Sequence, residues 1–222
     1  MNISVLKSVK NFFEKLIDLV LPKRTDFQIV SNLTPEKIYS LPKSGSVENM
    51  DWINSLFQYK NNNVRALIWE LKFRENTTAL ETIGRILYEE ILALVSDITL
   101  FEADAEFLLI PIPISPIRRR ERGYNQSEYI AKAVLEQDLE HILLYAPQWL
   151  EKIKDTPKQS RSQSKQERMQ NLIGCFSADP KVEGKYVILI DDVVTTGSTL
   201  SEARDTLLSA GAKDIFAFTI GH

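Results

Sequence analysis

The chain has 222 residues, 44% of them hydrophobic, enough to bury the core of one full α/β domain with a smaller accessory region; this excludes disorder as a description of the whole. Its 27 basic and 30 acidic residues leave a formal net charge of −3, so there is no global positive field of the kind that carries non-specific DNA binding, and any polyanion site must be local. With one cysteine, Cys175, and two distant histidines, His141 and His222, neither a disulfide framework nor a zinc site is expected, and Cys175 is expected as a small buried apolar residue.

Along the chain, Leu6, Val9, Phe13, Leu16 and Val20 recur at helical spacing, with Phe12 and Ile17 alongside. Glu14, Lys15 and Asp18 interrupt what would otherwise pass for a targeting signal. The expectation is an amphipathic helix packed on its own body or on a sister subunit, which allows a homodimer, with no membrane attachment and a cytoplasmic location. Pro22 to about Asn49 is rich in Pro, Ser, Lys and Asn and reads as a connector. Residues 1–58 are thus expected to be an N-terminal helix and connector, and 59–222 the main domain.

Val64, Leu67, Ile68 and Leu71 predict a short helix, and Leu80, Ile83, Ile86, Leu87, Ile91 and Leu94 a longer one, so this half reads as mostly helical. Phe107 to Ile110 is a continuous apolar run ended by Pro111, which suits a strand buried on both faces. The basic run Arg118, Arg119, Arg120 and Arg122 follows; it is too dense for every member to face one ligand, and at least half of it reads as a solvated charged turn. Tyr129, Ala133 and Val134 supply a helix face, and Ile142 to Tyr145 is a weaker strand candidate. From Lys152 to Arg168 the chain is polar and loop-like, with six basic residues against Asp155 and Glu167. This segment suits a mobile surface loop as well as a loop closing over a site. Val187 to Ile190 is wholly apolar, Leu200 to Ser209 is a helix with Gly211 in C-cap position, and Ile215 to Ile220 is a strand, completing a βαβ unit of a parallel sheet.

The most informative segment runs from Val187 to Thr199. Asp191 and Asp192 stand at the C-terminal end of a buried strand, where open α/β sheets present their ligand crevice. Thr195, Thr196, Ser198 and Thr199 then offer hydroxyls, Gly197 permits a tight turn, and the helix starting near Leu200 aims free N–H groups and its positive dipole end at the same point. That is the composition of a phosphate cradle beside carboxylates able to hold sugar hydroxyls, directly or through magnesium. The competing reading is a helix-capping cluster with no ligand. Gly184-Lys185-Tyr186 is not a Walker A loop, and no Gly-x-Ser-x-Gly elbow is present.

The same thirteen residues, Val187 to Thr199, resemble the signature for phosphoribosyl pyrophosphate (PRPP) of type I phosphoribosyltransferases. Further stretches resemble the competence protein F (ComF) family, which is phosphoribosyltransferase-like. They are Tyr59 and Leu71-Lys72-Phe73, Ile110-Pro111-Ile112-Pro113 with Arg122-Gly123-Tyr124-Asn125-Gln126, and Asp155 to Gln159 with Glu167-Arg168, Asn171 and Gly174-Cys175-Phe176. The resemblance implies an α/β, Rossmann-like type I phosphoribosyltransferase fold with a central, mostly parallel sheet and a helical N-terminal extension or hood. It implies ribose contacts from Asp191 and Asp192, with magnesium near them, and 5′-phosphate contacts from Thr195, Thr196, Gly197, Ser198 and Thr199. Pyrophosphate and closing-loop contacts fall to Pro113, Arg122, Lys158 and Arg168. Two departures stand out: Ser162 replaces a usual leucine, and Pro22-Lys23-Arg24 stands where family members carry the first cysteines of a zinc module.

Three readings of function follow. The first is an enzyme that binds PRPP with magnesium and transfers phosphoribosyl to a nitrogen acceptor with release of pyrophosphate. The second, from the ComF resemblance, is a non-catalytic PRPP- or nucleotide-binding partner of a DNA-uptake machine. Direct DNA binding ranks last, since the pI is about 5.6 and Tyr124 is the only aromatic beside either basic patch. The acceptor base is not identified by the sequence.

Overall fold

Strands with no polar face need cover on both sides, and the computed structural model, which describes residues 33–47, 50–73, 76–154 and 174–222, supplies it with two layers of helix and chain. The elements in chain order are α1 (Pro35–Tyr39), β1 (Lys43–Val47), β2 (Met50–Phe57), α2 (Asn62–Phe73), α3 (Thr77–Thr99), β3 (Phe107–Pro111), α4 (Pro116–Arg122), α5 (Gln126–Leu135), β4 (Leu143–Tyr145), β5 (Leu150–Lys152), β6 (Phe176–Ala178), β7 (Tyr186–Val193), α6 (Ser198–Ser209) and β8 (Asp214–Gly221). Six strands form one sheet in the order β1-β2-β8-β7-β3-β4, parallel throughout except for the β1–β2 pair, and β5 with β6 forms a separate antiparallel pair.

Side chains alternate across the sheet, and the two clusters they build are distinct. Leu109, Ile188, Ile190, Phe218 and Ile220 face one layer, where Ile83, Ile86, Leu87 and Ile91 of α3 and Ile130 and Val134 of α5 pack on them. Leu108, Ile110, Val187, Leu189, Ile215 and Ala217 face the other, covered by Leu200, Ala203 and Leu207 of α6 together with Leu150, Phe176 and Cys175. The expected strands at Phe107–Ile110, Val187–Ile190 and Ile215–Ile220 are all present, as is the weaker one near Leu143. Cys175 is fully buried, and burial pushes its thiol pKa up. Among the described residues no helix is long and apolar enough to cross a membrane.

Four features depart from the sequence reading. Residues 1–58, expected as an N-terminal helix and connector, contribute β1 and also β2, which pairs in parallel with β8 through Ile53↔Ala217 and Ser55↔Thr219. The basic run, read as a charged turn, is part of the short helix α4: Ser115 caps it, its hydroxyl accepting from the Arg118 N–H at 3.3 Å, Pro116 occupies the first turn, and Gly123 ends it at φ 82°. Tyr129 is 40% exposed and does not join the core as Ala133 and Val134 do. Helix α6 begins at Ser198, two residues earlier than expected. The expected amphipathic helix at Met1 to Leu21 lies outside the described residues.

Helices α3 and α5 approach closely at Gly84. A Cβ there would stand 2.6 Å from the carbonyl carbon of Ala133 and 2.8 Å from its Cβ. Alanine is the better helix former by about 0.8–1.0 kcal/mol, but overpacking against backbone costs about 1–3 kcal/mol, so the clash decides the sign. Gly84→Ala is therefore expected to destabilise the protein, read as a lower urea midpoint with unchanged m-value; an equal or higher midpoint would show that the two helices separate at little cost.

Candidate functional site

Strand β7 is fully buried from Val187 to Ile190 and emerges into partial exposure at Asp191 and Asp192. The two carboxylates are held by different partners. Ser127, in the first turn of α5, donates its hydroxyl to Asp191 Oδ1 at 2.9 Å, and the Asp192 backbone N–H donates to the same oxygen at 2.9 Å. Lys72, in the last turn of α2, pairs with Asp192 Oδ2 at 2.5 Å, while Asp192 Oδ1 accepts from the Val193 N–H at 2.7 Å. Burial, and next the neighbouring Asp192 charge, push the Asp191 pKa up to about 7, against the lowering effect of its hydrogen bonds and of Lys72.

The loop after the strand meets the helix as a cradle. Val194 N–H donates to Gly221 O at 3.0 Å and ties the loop to β8. Gly197 is the residue before α6, at φ 72°, a left-handed backbone that calls for glycine; the flexible end of the Met50 side chain from β2 lies against it. Because the helix cap is glycine, it offers no side-chain acceptor to the first N–H groups of α6. Thr196 and Ser198 bond to one another through their hydroxyls at 2.9 Å, and the Thr196 contact to the Ser198 N–H is long at 3.5 Å. This arrangement disfavours a plain capping cluster, and a small depression lined by Asp191 and by residues 193–200 lies at the start of α6. Thr195 is exposed at its rim and Thr199 partly exposed.

The loop after β3 is fixed to the same crevice. Ile112 N–H donates to Ile190 O at 2.9 Å, and the buried Asn125 donates its amide to Ile112 O at 3.0 Å while its Oδ1 accepts from the Ser127 N–H at 3.2 Å. Pro113, partly buried, therefore stands next to the end of β7. Of the basic run, Arg119 is engaged elsewhere, forking onto both oxygens of Glu128 at 2.7 Å, so in this state it is a structural cation rather than a ligand-binding one. Arg122 is the last residue of α4; its side chain, like Lys158 and Arg168, lies outside what is described.

Three contributors escaped the sequence reading. Ser127 and Asn125 orient Asp191 and the β3 loop, and Lys72 neutralises Asp192. The Asn-x-Ser spacing at a helix start is a legible capping signal, but nothing local links Ser127 to Asp191 or Lys72 to Asp192.

Comparison with known proteins adds family relations to this geometry. Residues 148–220 match the model of the phosphoribosyl transferase domain. The chain is 35% identical over 121 residues to the competence protein ComFC of Bacillus subtilis, covering 53% of this chain and 45% of that protein. It is 33% identical over 156 residues to the competence protein F of Haemophilus influenzae, covering 67% and 63%. It is also 29% identical over 151 residues to the DNA utilization protein YhgH of Salmonella typhimurium, again covering 67% and 63%. The matched part thus spans less than two thirds of the length of each of these relatives.

The raised pKa of Asp191 makes stability depend on pH. Unfolded, the group titrates near its ordinary value of 3.8; folded, it holds its proton to about 7. Its contribution is fully present below the unfolded pKa and is lost as pH rises through the folded one. Asp191→Asn, which keeps the shape without the charge, is expected to raise the melting temperature of the ligand-free protein by a few degrees at pH 8 and to leave it near wild type at pH 4. Parallel melting curves for the two proteins across this range would disprove the raised pKa.

Proposed function

Because the chain belongs to the ComF family of phosphoribosyltransferase-domain proteins, we propose that it binds PRPP with magnesium at the end of β7 and transfers the phosphoribosyl group to a nitrogen acceptor. The observation that carries this reading is the adjacency of an acidic pair and a helix N-terminus with a glycine cap, on one strand-loop-helix segment. One end of that segment accepts hydrogen bonds from hydroxyls and the other donates them to an anion, which matches a ribose bearing a 5′-phosphate.

In this reading Asp191 and Asp192 receive the ribose hydroxyls, residues Thr195 to Thr199 wrap the 5′-phosphate, and the segment from Pro113 to Arg122 faces the pyrophosphate. The acceptor nitrogen's lone pair forms the new bond to the anomeric carbon as the carbon–oxygen bond to pyrophosphate breaks. That bond's electrons leave on pyrophosphate, and the acceptor nitrogen gives up its proton to the departing pyrophosphate or to water. The chain contributes position and electrostatics, with no covalent intermediate on the protein. Lys158 and Arg168 belong to the segment that would close over the reacting centre and exclude water.

The donor set suits magnesium. The two carboxylates are hard oxygen ligands, and among the described residues no group of three or more acidic, histidine or cysteine side chains forms a self-sufficient metal site. Magnesium characteristically takes one or two carboxylates and completes its shell with substrate oxygens and water. When bound, it would supply positive charge for the departing pyrophosphate. Asp192 would then exchange Lys72 for the ligand, and Asp191 would bind as carboxylate, releasing its proton below neutral pH.

A second reading rests on the relatives' names, competence protein and DNA utilization protein. In it the same site senses PRPP or a nucleotide without turnover, and the chain serves DNA uptake as a cytoplasmic partner protein. Release of pyrophosphate in the presence of free bases separates the two.

Calorimetric titration of PRPP with and without magnesium tests the site. Asp192→Asn is expected to weaken magnesium-dependent binding by about 10- to 100-fold, the equivalent of one charged hydrogen bond. Unchanged affinity in the variant would sink the assignment of the acidic pair.

A further inference from the structure

The acidic pair of β7 is met by a cation built into the fold. Lys72 stands in the last turn of α2, and its ammonium reaches Asp192 Oδ2 at 2.5 Å. Its charge also acts on Asp191. A lysine in a last helical turn is favoured by the helix dipole alone, with its ammonium left in water. Lys72 is instead turned onto the strand, with its side chain 32% exposed and that of Asp192 19%, and both ends of the contact are held from outside it. On the strand, Asp192 Oδ1 accepts from the Val193 N–H at 2.7 Å, which leaves Oδ2 turned to the lysine. On the helix, the Lys72 carbonyl, one of the last that a helix leaves without an internal partner, accepts the Tyr124 hydroxyl, while Leu67, Ile68 and Leu71 sink the same helix into the core. The ammonium is thereby delivered to the oxygen that a metal ion on Asp192 has to take.

From this geometry we infer that Lys72 determines the form in which the acidic pair accepts a divalent cation: it keeps free magnesium off Asp192 and yields to magnesium that arrives already carried by a polyphosphate. Magnesium sheds its water reluctantly and takes only one or two carboxylates from a protein, so its affinity for this pair depends on both being available. With Lys72 in place, a lone magnesium ion meets a carboxylate that is already compensated, and it has to expel an ammonium of like charge to reach it. A polyphosphate carrier removes that obstacle, since its negative charge offsets the repulsion between metal and ammonium and its oxygens complete the metal's shell. Lys72 is thus a specificity-determining residue for the metal. That the carrier is PRPP rests on the reading above; the exclusion of free metal does not.

The test is calorimetric titration of magnesium, alone and in the presence of PRPP, into wild type, Lys72→Met and Lys72→Arg, with thermal unfolding of each protein with and without magnesium. We expect Lys72→Met, which keeps the stem of the side chain without its charge, to bind magnesium alone about tenfold or more tightly than wild type does, and Lys72→Arg to behave as wild type. Without metal, Lys72→Met is expected to melt below wild type, because the two carboxylates lose their counter-ion, and magnesium alone is expected to restore it while leaving wild type unmoved. A lysine that served only the end of α2 would lower the melting temperature without that rescue. Lys72→Gln, polar and uncharged, takes the place of Lys72→Met if the latter does not fold. Equal affinity of wild type and the uncharged variant for magnesium alone, or a gain of binding in Lys72→Arg, overturns the proposal. So does binding of magnesium alone by wild type as tight as in the presence of PRPP, a result that needs no variant. Magnesium binding gained in the uncharged variant, with no binding of PRPP by wild type, upholds the assignment of Lys72 and removes the PRPP reading instead.

Discussion

Two carboxylates on consecutive residues at the mouth of a water-poor crevice repel one another, and much of the local architecture answers that repulsion. Apolar cover on both faces of β7 is what desolvates them. Three remedies are visible: Lys72 compensates Asp192, Ser127 and a backbone amide donate to Asp191, and Asp191 keeps a proton to about pH 7. None of these is a permanent bond. Each is exchangeable, which is what the proposed binding of a polyhydroxylated, cation-carrying ligand would require.

The neighbouring parts of the crevice follow from the same placement. Asn125 fixes the loop after β3 against the start of α5, and the same helix start carries Ser127 toward Asp191. Gly197 shapes the cradle through its left-handed backbone, with the Met50 side chain of β2 lying against the start of α6.

What could be read from the sequence was whatever is local. Phe107–Ile110, Val187–Ile190 and Ile215–Ile220 are apolar on both faces, so no alternation had to be resolved, and the acidic pair, hydroxyls and glycine lie within one stretch of nine residues. Strands β1 and β2 were hidden because Ser44, Gly45, Ser46, Asn54 and Ser55 break any apolar pattern; β2 is a strand by virtue of pairing with β8 far along the chain. Helix α4 was obscured by its charge although Ser115-Pro116 is a sound start signal. Lys72 and Ser127 could not be assigned roles, since their partners are set by tertiary packing and not by spacing.

The strand order carries a consequence for how the molecule assembles. Of the strands described, β8 is the last to be synthesised, yet it lies between β2 and β7 and is the sole hydrogen-bonded bridge between the β1–β2 pair and the rest of the sheet among the described residues. Until it arrives, β2 and β7 each present an open edge, and the Val194 amide and the Phe57 carbonyl lack the partners that Gly221 and His222 provide. Ligand crevice and sheet are therefore completed by the same late event. Such non-local closure slows folding and leaves unpaired edges, prone to aggregation, until the strand is in place.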